Sequence, residues 1–330
     1  MFTMHETFTR TPNRSYWVAI SLLALALAGC TKQDEPNAQE EAQQEAHTTF
    51  PTPEAAVEAL ARAAEADDAA ALLKIFGPGG ESLVEWGDPV GEKQDRLAFT
   101  EMYRTKHGLA DGPNGGKVLE VGADDWPLPA PLIAQGERWV FDGAEGADEL
   151  VYRRVGKNEL GAISVAQGFV DAEYEYASKR RDGNQAGLFA AYLISDPGRQ
   201  NGLYWPTEAG EEPSPAGPFV AAAAGEGYRQ AAFGEPTPYH GYFYRMLYAQ
   251  GADAPGGAKG YFEEGRLVGG FAMVAWPAEY GVSGVKTFIV NQDGVVYEED
   301  FGEDTPSAVD KLELFNPDDT WARVESDPSD

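Results

Sequence analysis

Gly284-Val285-Lys286-Thr287-Phe288-Ile289-Val290-Asn291-Gln292-Asp293-Gly294-Val295-Val296-Tyr297 reads as two β-strands joined by a hairpin turn. β-Branched and aromatic residues fill both arms, and Asn291-Gln292-Asp293-Gly294 supplies turn chemistry with a glycine free to adopt positive φ. Upstream, His240-Gly241-Tyr242-Phe243-Tyr244-Arg245-Met246-Leu247 and Gly269-Gly270-Phe271-Ala272-Met273-Val274-Ala275-Trp276-Pro277 have the same character. Their alternation predicts an antiparallel meander with one face covered.

The cover is legible before it. From about Asn158 to Lys179, Leu160, Ile163, Ala166, Val170, Tyr174 and Ala177 recur at helical spacing, so one stripe faces the sheet. Asn158 is the expected N-cap, with Glu159 answering the helix dipole. Asp182-Gly183-Asn184 ends the helix as a turn. A short helical segment over Leu188 to Leu193 and a long loop through Pro218, carrying Tyr204-Trp205-Pro206, complete this half.

Residues 49–156 begin differently. Thr52-Pro53 is an N-cap followed by a first-turn proline, and Val57, Leu60, Ala61 and Ala64 follow at helical spacing. Asp67-Asp68 recaps the chain into a second helix with Leu72, Leu73 and Phe76 inward, which Gly77-Pro78-Gly79-Gly80 ends. A third helix is expected from Glu92 to about His107, then short strands at Lys117–Val121, Pro131–Ala134 and Arg138–Phe141, the last two joined at Gln135-Gly136. The fold class is therefore α+β: a helical hairpin with a small antiparallel sheet, then a helix on an antiparallel meander, with domains at 49–156 and 157–330.

The N-terminus is a leader. Arg10 and Arg14 precede an apolar run from Tyr16 to Leu27, too short to span a bilayer, and residues 1–29 read as an export signal. Residues 30–48, rich in Gln, Glu and Ala, are a tether unable to bury a core. Cys30 is the single cysteine, which excludes an intrachain disulfide.

Leu27-Ala28-Gly29-Cys30 resembles the bacterial lipobox. That resemblance implies a lipid-modified Cys30 as mature N-terminus, anchorage to a membrane of the cell envelope, and, with Thr31 following in a diderm host, the periplasmic face of the outer membrane. The first domain resembles small cone-shaped domains of the nuclear-transport-factor-2 or cystatin type, through Thr52-Pro53-Glu54-Ala55-Ala56-Val57, the Asp-marked second helix and Gly136-Glu137-Arg138-Trp139-Val140-Phe141. Residues 158–302, through Ala162-Ile163-Ser164, Tyr174-Glu175-Tyr176-Ala177 and the strands above, resemble the globular part of type IV pilins and pseudopilins. Phe50-Pro51-Thr52-Pro53-Glu54-Ala55-Ala56, Asp124-Asp125-Trp126-Pro127-Leu128-Pro129, Gly156-Lys157-Asn158-Glu159-Leu160, Gly202-Leu203-Tyr204-Trp205-Pro206, Tyr239-His240-Gly241-Tyr242 and Pro277-Ala278-Glu279-Tyr280-Gly281-Val282-Ser283-Gly284 resemble the bacterial envelope family called domain of unknown function 2950. That family implies no catalytic residues.

Composition narrows the chemistry. With 25 basic and 54 acidic residues and a formal net charge of −29, the chain repels anionic polymers, which disfavours nucleic acid as a partner. No calcium-loop, zinc-protease, nucleophile-elbow or nucleotide motif occurs, and of four histidines only His107 and His240 lie in the folded part. No cofactor, metal or catalytic residue is expected. The candidate binding surface is Trp205, Tyr239, His240, Tyr242 and Tyr244, set against the plainer reading that Tyr242 and Tyr244 pack in the sheet. The expected function is a non-catalytic, lipid-anchored envelope protein that docks a protein partner. The alternative is an envelope enzyme, or a glycan or small-ligand binder, with its site near Trp205 and His240.

Overall fold

Thr52 caps the first helix as its sequence requires: its Oγ1 accepts from Ala55 N at 3.2 Å, and Pro53 opens α1 (Pro53–Glu65). The computed structural model describes residues 47–208, 210–226, 228 and 237–325. The expected signal, Cys30 and most of the tether lie outside these residues.

Asp68 caps α2 (Ala69–Phe76), and Asp88 caps α3 (Pro89–Thr105), which begins earlier than its apolar pattern suggests. α1 and α2 form the expected hairpin. Leu60, Ala64, Leu72, Ile75 and Phe76 are buried against β2 (Lys117–Val121), β4 (Leu132–Gln135) and β5 (Arg138–Phe141). β1 (His107–Asp111), where α3 was expected to end, pairs antiparallel with β2, and β3 (Trp126–Pro127) pairs with the other edge of β2. The sheet runs β1-β2-β4-β5, with the hairpin turn at Gly136.

α4 spans Gly143–Ser178, 36 residues, so the start expected at Asn158 is wrong by four turns. Asp142 is the N-cap, its Oδ1 accepting from Glu145 N at 3.1 Å. Gly143 and Gly146 are packing glycines. A Cβ at 146 would lie 2.5 Å from Ala130 N, and one at 143 would lie 2.7 Å from Phe76 O. α4 passes through residues 156 and 157, where the domain boundary was drawn, and serves both cores. Its buried stripe is also rotated. Ala162, Ala166, Phe169, Glu173 and Tyr176 face inward, whereas Leu160 is 70% and Tyr174 49% exposed. Alanines at 162 and 166 let the helix sit close to the sheet.

That sheet is the expected meander. β8 (Tyr242–Leu247), β13 (Ala272–Pro277), β14 (Thr287–Asn291), β15 (Val296–Glu299) and β16 (Ala322–Arg323) run antiparallel in the order β16-β15-β14-β13-β8, and α4 packs on β13, β14 and β15. Every residue of β14 is buried, with apolar contact on both faces. Leu188–Leu193 is not helical: Tyr192 begins β6 (Tyr192–Ile194), parallel to β7 (Gly202–Tyr204). Between the main strands lie α5 (Gly217–Gly225) and four two-residue strands, β9 (Ala249–Gln250), β10 (Lys259–Gly260), β11 (Phe262–Glu263) and β12 (Arg266–Leu267); α6 (Thr305–Lys311) precedes β16. With six helices and antiparallel sheets among the described residues, the α+β class is borne out.

Candidate functional site

The two halves are joined at a carboxylate. Asp88 is fully buried, and as N-cap its Oδ1 accepts from Val90 N at 3.2 Å and Gly91 N at 3.1 Å. Its Oδ2 reaches across to the second half, accepting from Tyr228 OH at 2.6 Å and Gly241 N at 3.0 Å. All its lone-pair sites are thereby used, which is what a buried carboxylate requires. Burial and the neighbouring Asp88 raise the Tyr228 hydroxyl pKa, so it stays a donor.

Gly241 is half of a two-residue turn. Tyr239 N donates to Tyr242 O at 2.8 Å and Tyr242 N to Tyr239 O at 3.2 Å, with His240 at φ 51° and Gly241 at φ 72°. The turn rests on α4, where the Asn158 amide donates to Ser283 O at 2.9 Å and Glu159 Oε1 accepts from Val285 N and Lys286 N, both at 3.0 Å. Asn158 and Glu159 are therefore not a cap and a dipole partner: they are mid-helix side chains that hold the 283–286 loop. Gly241→Ala is expected to cost about 2–3 kcal/mol, combining left-handed backbone strain with a displaced Asn158. A Cβ there would stand 2.5 Å from Asn158 Nδ2. Urea unfolding measures this, and a cost under about 1 kcal/mol would mean that the turn relaxes freely.

Beside this junction a cleft of about 520 Å³ opens between α3 and α4. α4 contributes Leu150, Arg153, Arg154 and Lys157 at helical spacing, and α3 contributes Asp95, Phe99 and Met102; Trp86, Leu60 and Phe76 line the interior. Trp86 fits because residue 91 is glycine: a Cβ there would lie 2.4 Å from the indole. The Arg154 guanidinium lies 4.9 Å from the Trp86 ring centre, and Arg153 lies 5.5 Å from that of Trp126.

Charged side chains of both signs line the cleft, Arg96, Arg153, Arg154 and Lys157 with Glu92, Asp95 and Glu226, and Arg153 pairs with Glu149 on its own helix. Glu92 is occupied, accepting from Trp86 N at 2.8 Å and Gly87 N at 3.1 Å, and Arg96 pairs with Asp67 at 2.8 Å. Lys157 Nζ stands 4.0 Å from Asp95, its nearest acid. Desolvation raises the Asp95 carboxyl pKa, opposed by Lys157, Arg154 and Arg96; half its side chain still meets solvent, so the shift carries little energy. Arg154 donates to Ser82 O at 2.7 Å, its Nε has no acceptor among the described residues, and burial lowers its pKa.

Of the expected surface, Tyr239 and His240 do stand together, with ring centres 4.1 Å apart and Tyr228 4.9 Å from Tyr239. His240 lines the cleft, its Nε2 3.6 Å from Glu226 Oε2. Tyr244 joins them through its hydroxyl, 3.3 Å from Tyr239 O. Tyr242 does not form surface: it is fully buried beside Phe288 and donates to Lys286 O at 2.9 Å, the packing role weighed for it. Trp205 is elsewhere, a core residue beneath Arg181 at 5.0 Å, because its loop returns to α4 rather than to the His240 turn. His107 is also apart, stacked on Tyr103 at 3.9 Å. The Asp124–Pro129 loop places Trp126 and Leu128 on the cleft wall.

The sequence reading missed Asp88, Tyr228, Trp86 and Arg154. Asp88-Pro89 is a cap signature that could have been found; Tyr228 carried no signal. Among the described residues, no cluster of three or more His, Cys, Asp and Glu is placed to hold a metal ion, and no helix is long and apolar enough to cross a membrane.

No curated protein and no solved structure matches the chain, so the pilin resemblance gains no support there. A family model described as Protein of unknown function (DUF2950) matches residues 47–324, which contain every strand and helix described above. On that match, the chain belongs to the DUF2950 family of proteins of unknown function.

Proposed function

We propose that this protein is a non-catalytic binding protein, held on the cell envelope by lipid on Cys30, whose cleft between α3 and α4 takes up an acidic group carried on an apolar body. Arg154 is the observation that supports this reading. It lines an apolar-walled cleft with one donor unmatched and no carboxylate at hydrogen-bond distance, in a chain of net charge −29. An acidic ligand would complete its hydrogen bonds as charge-assisted ones, and Lys157 would add charge. The apolar interior would contribute burial, as in most small-molecule sites.

Native mass spectrometry of the full-length protein isolated from its own membranes tests this. The expected result is a co-isolated acidic component that Arg154→Met and Lys157→Met each lose by about tenfold, the loss of one charge-assisted contact. An identical complement in the parent and both variants would sink it. In cells fed a labelled fatty acid, the parent should take up label and Cys30→Ala should not; equal labelling of the two would remove the lipid anchor from the reading.

A second reading, docking of an envelope protein, draws on Tyr152 and Leu160, which are 78% and 70% exposed on α4. Photo-crosslinking from position 160 in cells would then yield one discrete adduct, and no adduct would argue against it.

A further inference from the structure

A second cavity of about 490 Å³ lies on the other side of Tyr228, between α4, the edge strands β6 and β7, and α5. Among the described residues that line it, none is charged, although 24% of the chain is Asp, Glu, Lys or Arg. Val165, Phe169, Ile194 and Met273 line it, together with Tyr228, Tyr239 and Tyr244, which stand in contact with one another.

Its cover is unusual. α5, Gly217-Pro218-Phe219-Val220-Ala221-Ala222-Ala223-Ala224-Gly225, has no polar side chain and no buried residue. Phe219, Val220, Ala223 and Ala224, spaced to share one face, line the cavity. Phe219 lies over Gly168, where a Cβ would stand 2.1 Å from the ring, yet it is 41% exposed. An apolar helix gains stability by burying a face, and this one covers a cavity without filling it.

We propose that this groove binds a single acyl chain, with α5 as its cover. The volume lies in the range of small-molecule sites, about 300–1,000 Å³. A ligand with polar atoms along its body would lose their hydrogen bonds to water with little in return, whereas a hydrocarbon chain loses none. Each buried methylene would add about 0.8 kcal/mol, and the polar head stays at the mouth. The proposal does not rest on the α3–α4 cleft, although Tyr228 borders both cavities.

Residues 30–330 carrying Cys30→Ala, which lack both the apolar leader and the lipid site, are titrated with cis-parinaric acid, a fluorescent fatty acid. Saturable one-to-one binding is expected. Val220→Asp and Ala223→Trp, both at partly exposed positions, should each weaken it at least tenfold, and Ala222→Trp on the outer face should leave it unchanged, with circular dichroism unaltered in all three. Displacement by oleate alone identifies a free fatty acid as the source of the chain; displacement by phosphatidylglycerol vesicles as well identifies membrane lipid. Absence of saturable binding, parental affinity in both groove variants, or equal loss in Ala222→Trp would overturn the proposal.

Discussion

Asp88→Ala is expected to lower folding stability by about 3–5 kcal/mol: two buried donors are orphaned at about 1–2 kcal/mol each, and a helix cap worth about 1 kcal/mol is lost. The donors are Tyr228 OH and Gly241 N, and the cap belongs to α3. For a unit of this size the melting temperature should fall by roughly 10 °C, at about 2–4 °C per kcal/mol. Asp88→Asn separates the two roles. One amide oxygen can serve the cap or the crossing donors but not both, so its cost should be about half. Urea unfolding of both variants checks this, and a cost below about 1 kcal/mol for Asp88→Ala would show that water takes the place of the carboxylate.

The same carboxylate explains why cleft and groove adjoin. Tyr228 lines both cavities, and Asp88 holds its hydroxyl. His240 N also approaches that hydroxyl at 3.3 Å, so the His240 turn, α3 and Tyr228 share one hydrogen-bonded node. Gln94 adds a tie from α3 to the carbonyl of Glu226, just past α5.

The sequence made periodic elements legible and hid whatever depended on a distant partner. The α1–α2 hairpin and the meander follow from caps, turns and alternation. The start of α4 is hidden because Asn158 offers cap chemistry in mid-helix, while the glycines of its true first turn, Gly143 and Gly146, are contact points for the chain at 76 and 129–130. The first turn of α3 holds Gly91, whose reason, the close approach of Trp86, is likewise a distant contact. Tyr239 and His240 were found because they are neighbours in the chain. Trp205 was wrongly joined to them because nothing local says where a long loop returns. Residues of four quoted segments, Trp126, Leu128, Lys157, Asn158, His240 and Leu203, border the two cavities, so the segments that carried the family resemblance also frame the candidate sites.

Glu173 should make stability fall as pH rises. It is fully buried on α4; Oε2 accepts from Ala190 N at 2.9 Å and Oε1 has no partner among the described residues. Burial raises its pKa well above the ordinary carboxylate value, and the single hydrogen bond only partly opposes this. Its titratable neighbours are Tyr176 and Tyr248, which bring no positive charge. The folded protein therefore holds a proton that the unfolded chain releases near pH 4.5. Stability from the protonated carboxyl is complete below that pH and is lost as pH rises toward the elevated folded value. Glu173→Gln keeps an acceptor for Ala190 and cannot ionise. It should match the parent in acid and exceed it near pH 8, on the order of the several kcal/mol that an uncompensated buried ion costs. Melting curves of both proteins between pH 4.5 and 8 test this through their difference, which cancels every other titrating group. A constant difference across that range would mean that Glu173 ionises at little cost, with a counter-charge or water reaching Oε1.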